Sequence, residues 1–321
     1  MHPASISWFL VPFSWFLLLP ACAAPPSPAP PTSLLIATGG PGGAYYPLGQ
    51  ELSHIYAERV AGIRPSIEPG TSGQNVRRVE EGTAQVAFTQ ADVAYTAYRR
   101  GTEDAPHPFS ELRGIAVLWV NTVHIAVPQT SRLRAVTDLR GRRVAVGTRG
   151  SGTETLARIV LESYGLGYGD VQPDFASFVR TVETMRAGEA DAGFVVAGMP
   201  ADAMADLARD PGVRLLPVPA DHVQVMRAQY PFLEPMIVKA GTYANQDDAV
   251  ETVGVSNLLL CRRDLDEALV YQLTRAFFEA LPRLATANPA AALIDPEQAP
   301  ATPIPLHPGA ARYYREREIT Q

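Results

Sequence analysis

The chain is 321 residues long, 46% hydrophobic and 19% charged, which suits a globular protein of about two domains and excludes a disordered or fibrous one. Its 33 acidic and 27 basic residues leave a net charge of -6, which excludes a polycation built to hold nucleic acid through its phosphates. The charge is unevenly spread, because the first Asp, Glu, Lys or Arg in the chain is Glu51.

The uncharged beginning has its own character. Ile6 to Leu19 is an almost continuous apolar stretch, followed by the small residues Ala21, Cys22, Ala23 and Ala24. Such a stretch is too short to span a bilayer and suits the core of a secretory signal, so residues 1–22 are expected to direct export. The segment ahead of it carries neither Lys nor Arg. Leu19-Pro20-Ala21-Cys22 resembles a bacterial lipobox, which would make Cys22 a lipidated terminus and a lipid tether the only membrane contact. An ordinary cleavage site at Ala-Cys-Ala and a retained anchor are the alternatives. Residues 23–33, rich in Pro and Ala, read as an extended linker.

From Ser33 onward, short β-rich runs alternate with helix-period segments, the pattern of an α/β protein with mainly parallel sheets. The expected strands are Leu34–Thr38, Arg64–Pro69, Gln85–Thr89, Gly114–Trp119, Val123–Pro128, Arg143–Val146, Ala192–Val196, Val213–Pro217 and Thr252–Leu260. One-sided apolar stripes predict helices over Thr153–Tyr164 and Leu265–Leu284. Two similar modules follow, the first completed by the segment after Gly241. A chain that crosses twice between modules predicts two hinged lobes, residues 34–127 plus 240–321 and residues 128–239, with a ligand cleft between them.

Chemistry is concentrated where strands hand over to helices. The run Gly39 to Gly49 follows the first strand, and its glycines let backbone N–H groups approach a ligand at a positive helix terminus. Its spacing is not that of a dinucleotide fingerprint, and a tight turn without a ligand is the alternative. A second handover is Gly70-Thr71-Ser72-Gly73-Gln74-Asn75, where Thr71 or Ser72 can cap the next helix. The third is Gly147 to Glu154, where Ser151 and Glu154 have capping-box spacing. Gly147 and Gly152 also have the separation of a phosphate loop, but the lysine slot holds Thr153 and the only Lys in the chain is Lys239. A nucleotide site is thereby rejected.

Other chemistries find little support. The six His show no metal-binding spacing, and Glu80-Glu81 and Asp247-Asp248 read as solvated faces rather than acid/base pairs. Only Cys22 and Cys261 are present, which excludes a disulfide framework and leaves Cys261 as a small buried hydrophobe. No cofactor, metal or catalytic residue is expected. A carboxylate held by loop amides and helix dipoles, without reaction, fits what remains.

The runs GGPGGAYYPLGQEL, EPGTSGQNVRRVEEGTAQVAFTQADVAY, VTDLRGRRVAVGTRGSGTE, GEADAGFVVAGMP, AGTYANQDDAVETVGV and PIPLHPGAARYYRE resemble, in order, the TAXI-type receptors of tripartite ATP-independent periplasmic (TRAP) transporters. The resemblance implies a type II, Venus-flytrap periplasmic binding protein that closes over a glutamate-like amino acid or other carboxylate and delivers it to the TRAP membrane permease. It implies ligand contacts from Gly42, Gly43 and Tyr45, from Thr71, Ser72 and Gln74, from Gln90, from Ser151, Gly152 and Thr153, and from Gly198. Tyr45 would wall the ligand, and hydroxyls and backbone amides would hold its carboxylate. Arg149 reads either as a carboxylate clamp or as a solvent-facing loop residue. Rival readings are a ligand sensor for a membrane signalling partner and an enzyme using Gln90, Asp92 or a Tyr as acid or base in the same cleft.

Overall fold

In a computed structural model, residues 1, 32–40, 43–102, 104–209 and 212–319 are described. The expected signal segment beyond Met1, most of the linker, Cys22 and Gly42 lie outside them.

The first half of the fold is built by β1 (Thr32–Thr38), α1 (Tyr45–Arg59), β2 (Ile63–Pro69), α2 (Ser72–Glu81), β3 (Val86–Gln90) and α3 (Ala91–Arg100). β1 lies between β2 and β3, parallel to both, with Ile36 opposite Ile67 on one side and Val86 on the other. Both faces of β1 are covered. Leu34 and Ile36 pack with Leu52 and Ile55 of α1, while Ala37 joins Val76 and Val79 of α2 in a second core. Burial on both faces explains why this strand is an apolar run rather than an alternating one.

The chain then enters β4 (Leu112–Pro128), a single strand of 17 residues where two shorter ones were expected. Asn121 alone could favour a turn, but pairing to β10 on one side and to the second half on the other keeps Val120-Asn121-Thr122 extended, so the strand runs on and changes partner. It pairs with β10 (Val250–Arg262) from Leu112 to Thr122, and from Thr122 onward with strands of the second half.

The second half comprises β5 (Arg143–Ala145), α4 (Gly152–Ser163), β6 (Gln172–Asp174), α5 (Phe178–Arg186), β7 (Ala192–Ala197), α6 (Asp202–Leu207), β8 (Val213–Leu215), α7 (Ala220–Arg227) and β9 (Leu233–Val238). β5 runs parallel to β6 and β7, β4 antiparallel to β7 and β8. β10 returns, pairing with β9 through Val255 and with β3 from Asn257. The expectation of mainly parallel strands therefore holds at the two flanks and fails in the middle. There β4 and β10 cross in opposite directions and join the halves into a sheet of order β2-β1-β3-β10-β4-β7-β5-β6. β6 and β9 were not anticipated, being short or interrupted by Pro235.

The expected helix over Leu265–Leu284 is broken into α8 (Glu267–Glu279) and α9 (Leu281–Ala287), and the chain ends on α10 (Pro308–Arg315). Pro282 lacks the N–H needed to continue the first helix and sits instead at the start of the second. Leu273, Ala276 and Phe277 of the expected stripe pack on the same core as Leu34 and Ile36, joined by Val270, which was not expected there, while Leu269 and Leu281 are only partly buried at its edge. Among the described residues, no helix is long and apolar enough to cross a membrane.

Candidate functional site

The expected loops lie at the carboxyl ends of β1, β2, β3, β5 and β7, the edge at which open α/β sheets gather ligands. Gly43 donates to the Gly40 carbonyl at 3.1 Å, closing the turn that starts α1. Tyr45 opens that helix, with its ring stacked on Phe88 at 5.4 Å and tilted against Trp119 at 5.8 Å. Its hydroxyl donates to Asn257 Oδ1. That same oxygen accepts from Asn121 Nδ2 at 3.0 Å, Asn257 Nδ2 donates to the Trp119 carbonyl at 2.8 Å, and Trp119 Nε1 donates to Asn121 Oδ1 at 2.9 Å. The Tyr45 wall is therefore anchored to a polar network on the two crossing strands.

At α2, Thr71 Oγ1 accepts from the Gln74 amide at 3.2 Å and Gln74 Oε1 accepts from the Thr71 amide at 2.9 Å. This reciprocal capping box occupies both side chains expected to reach a ligand. Ser72, at 7% exposure, is buried beside the Tyr45 phenol. At α4, Ser151 Oγ accepts from the Glu154 amide at 3.1 Å. The reciprocal half of that box is missing, because the Glu154 carboxylate accepts from the Tyr168 hydroxyl at 2.8 Å.

The halves touch directly here. The Gly73 amide, in the first turn of α2, donates to the Gly150 carbonyl at 3.0 Å. Gly150 adopts φ +68°, in the left-handed region that glycine enters without strain. The Gln90 side chain lies against Gly152, so closely that a Cβ there would be 1.9 Å from Gln90 Oε1. Thr153 is buried under Gly147, and Gly198, just past β7, faces Trp119 with its Cβ direction 3.7 Å from Nε1. The amides of Gly152 and Thr153 at the head of α4 have no acceptor among the described residues. Gln90 and Gly152 thus meet at the seam where the halves touch, beside the Gly73–Gly150 hydrogen bond; Tyr45 lies with Ser72, Gly198 lies against Trp119 on the far side of the Tyr45 ring, Thr153 packs under Gly147, and Gly43, Thr71, Gln74 and Ser151 serve the turns around them.

The seam also holds buried acceptors. Gln90 Oε1 and both carboxylate oxygens of Asp92 are buried and none of the three meets hydrogen-bond geometry with a partner, although the Asp92 and Val93 amides lie close enough to favour the charged form of Asp92. Burial raises the Asp92 carboxyl to about 7, while the amides of Val93 and Asp92 and the charge of Arg158 act in the opposite direction. Burial, and then the Asp92 charge, push the Tyr45 phenol well above its ordinary value, with Ser72 pulling the other way.

Sequence reasoning did not place Asp92, Trp119, Asn121 or Asn257 among the ligand contacts. The available signal was a lone Asn inside each of two apolar strands, VLWVNTV and VGVSNLLL. Arg149 is exposed, with its guanidinium 3.6 Å over the Phe175 ring. Glu80, expected on a solvated face, instead accepts from the Ser110 and Glu111 amides at 3.0 and 2.8 Å, clamping the approach to β4. Cys261 is buried, which pushes its thiol up. Among the described residues there is no cluster of three His, Cys, Asp or Glu arranged for a metal.

Solved structures resemble this fold at low identity. PhnD1 from Prochlorococcus marinus, in complex with methylphosphonate, matches with a TM-score of 0.59 and 11% identity over 90% of this chain and 100% of that one. XAC2383 from Xanthomonas citri, bound to chloride ion, matches with a TM-score of 0.54 and 14% identity over 88% of this chain and 95% of that one. The periplasmic aliphatic sulphonate binding protein SsuA from Escherichia coli matches with a TM-score of 0.47 and 17% identity over 91% and 94% of the two chains. The fold is the mixed α/β, two-lobe fold of periplasmic binding proteins. The family model described as NMT1-like family matches residues 36–317, and the chain belongs to that family.

Proposed function

We propose that the protein is an exported solute receptor that captures a small organic anion between two lobes and hands it to a membrane permease. The observation that carries this reading is the convergence of the α2, α3 and α4 N-termini on one seam, joined by the Gly73–Gly150 hydrogen bond and the Gln90–Gly152 contact. The unengaged Gly152 and Thr153 amides offer an anion two donors at a positive helix end. The export-signal character of residues 1–22 supports a periplasmic location.

A carboxylate is the anion we favour, and delivery to a TRAP permease the route. Both rest on the ordered motifs from GGPGGAYYPLGQEL to PIPLHPGAARYYRE. The lobes are read as residues 34–127 with 240–321 and residues 128–239, hinged where β4 and β10 change partner, near Thr122 and Ser256. Binding selects the closed arrangement of these lobes. No covalent chemistry is assigned to the site, and Cys22 is read as the lipid tether.

Isothermal titration tests the reading with glutamate, glutamine, mono- and dicarboxylates, methylphosphonate and an alkanesulfonate. A stoichiometric binding isotherm with a carboxylate is expected. Heat only with the phosphonate or sulfonate would replace the carboxylate by another oxyanion, and no heat with any of them removes the receptor reading.

A further inference from the structure

The two strands that cross between the halves fall out of step at one point. Ser256 of β10 stands opposite Val120 of β4, but Leu258 stands opposite Val117, so Leu118 and Trp119 together face the single residue Asn257. This is a β-bulge, which interrupts the ladder and bends the strand that carries the extra residue. It lies close to where both strands change partner. β10 pairs with β9 through Val255 and with β3 from Asn257, and β4 exchanges β10 for β7 at Thr122. A rotation of one half against the other has to be absorbed in these few residues.

The Asn257 side chain closes the bulge. Its Nδ2 donates to the Trp119 carbonyl on the bulged strand at 2.8 Å. Its Oδ1 accepts from Asn121 Nδ2 at 3.0 Å and, with its second lone pair, from the Tyr45 hydroxyl. Trp119 Nε1, which can only donate, fixes the orientation of Asn121 by binding its Oδ1 at 2.9 Å. A reversed Asn257 amide would then set Nδ2 against the Asn121 NH2 and Oδ1 against a carbonyl, so the network admits one orientation. Asn257 and Trp119 are buried, and bulk water does not substitute for these bonds.

Tyr45 enters this network from α1, and its ring is already packed by Phe88 and Trp119. The hydroxyl bond is not needed to seat the ring; it fixes the ring relative to the bulge. On the other side of β10, Asn257 stands opposite Gln90 of β3, whose side chain meets Gly152 of the second half.

We infer that Asn257 is a positioning residue that couples Tyr45 to the bend of the crossing strands. Its amide nitrogen holds the β4 bulge and its carbonyl holds the tyrosine, so the ring keeps its place in one arrangement of the two halves. This rests on the receptor reading above, in which Tyr45 walls the ligand, and deepens it: a ligand packed on the ring favours that arrangement without touching either strand.

The test is amide hydrogen exchange of the unliganded full chain, read by mass spectrometry over residues 120–123 and 254–256, for wild type, Tyr45→Phe, Asn257→Ala and the double variant. Y45F keeps the ring and leaves both bonds from Asn257 to β4, so a merely structural bulge predicts wild-type exchange in these segments. The coupling predicts a rise of about 2- to 12-fold, the equilibrium equivalent of one hydrogen bond. N257A should raise exchange further, and Y45F should add nothing in that background, because the bond it removes is already gone. Circular dichroism and a thermal melt establish that the variants are folded; if N257A is not, Y45F alone decides. Wild-type exchange in folded Y45F, or the full Y45F effect in the N257A chain, overturns the coupling. Titration with L-glutamate, glutarate and methylphosphonate supplies the second arm. A probe that binds wild type should bind Y45F about 2- to 12-fold more weakly, and equal affinity overturns the ligand's part in the coupling. Absence of binding to all three removes the receptor reading alone, since exchange is read without ligand.

Discussion

Replacing Gly152 by Ala should force the two halves apart without unfolding either. The added Cβ would lie 1.9 Å from Gln90 Oε1, 2.1 Å from Cδ and 2.8 Å from Nε2, none of which is a tolerable contact. Gln90 is held at 4% exposure, so its amide has little room to turn aside while the halves remain in contact. Overpacking of this kind costs about 1–3 kcal/mol. Separation of the lobes relieves the clash, so the cost falls on the closed arrangement and shifts the closed-to-open ratio by about 5- to 150-fold. Small-angle X-ray scattering of the unliganded chain should show a larger radius of gyration for G152A, with an unchanged far-UV circular dichroism spectrum. Adding Gln90→Ala to the same chain removes the clashing atoms and should restore the wild-type radius. Wild-type dimensions for G152A in the unliganded chain, together with wild-type affinity for whichever anion the titrations identify, would refute the closure argument.

Three other outcomes follow from the same geometry. Asn257→Leu orphans the Tyr45 hydroxyl and Asn121 Nδ2 and should cost about 1–3 kcal/mol per buried partner in urea unfolding, with loss of ligand affinity because Tyr45 is released. His124 Nδ1–H donates to the Val195 carbonyl at 3.1 Å and Nε2 accepts from the Tyr243 hydroxyl at 2.9 Å, and burial lowers its pKa from 6.5 to about 4. Its contribution is complete above pH 6.5 and lost as pH falls from 6.5 toward 4, up to about 3 kcal/mol, which urea unfolding across that range would measure. Asp92 has the opposite sign: its pKa is raised from 3.8 to about 7, so its contribution is present below pH 3.8 and lost as pH rises through 7. The unliganded D92N chain should therefore gain stability over wild type at pH 8 and little at pH 4, and an equal difference at both values would contradict the burial of that carboxylate.

Much of the scaffold was legible because its signals are local. The apolar runs of β1, β3 and β7 are buried on both faces, and the cap at Ser151 and the stripe on α8 are written in neighbouring residues. The crossing was harder to read. Val120-Asn121-Thr122 looks like a gap between two strands, yet the chain stays extended because β10 supplies partners on one side and β7 on the other, a contribution fixed far away in sequence.

The candidate site divides in the same way. Glycine-rich handovers mark the loops, but Thr71 and Gln74 satisfy each other, and no spacing rule distinguishes a capping box from a ligand contact. Asp92 looks like an ordinary acidic residue in a helix first turn, which its dipole alone would explain. Only the packing around α3 shows that both of its oxygens are buried without partners.

The most direct test of the central claim is native mass spectrometry of the purified full chain, before and after addition of the titration panel. A single bound molecule of a few hundred daltons, anionic and recovered chemically unchanged after long incubation, is the predicted result. A chain that carries nothing and takes up nothing from the panel, or that converts what it binds, would contradict it.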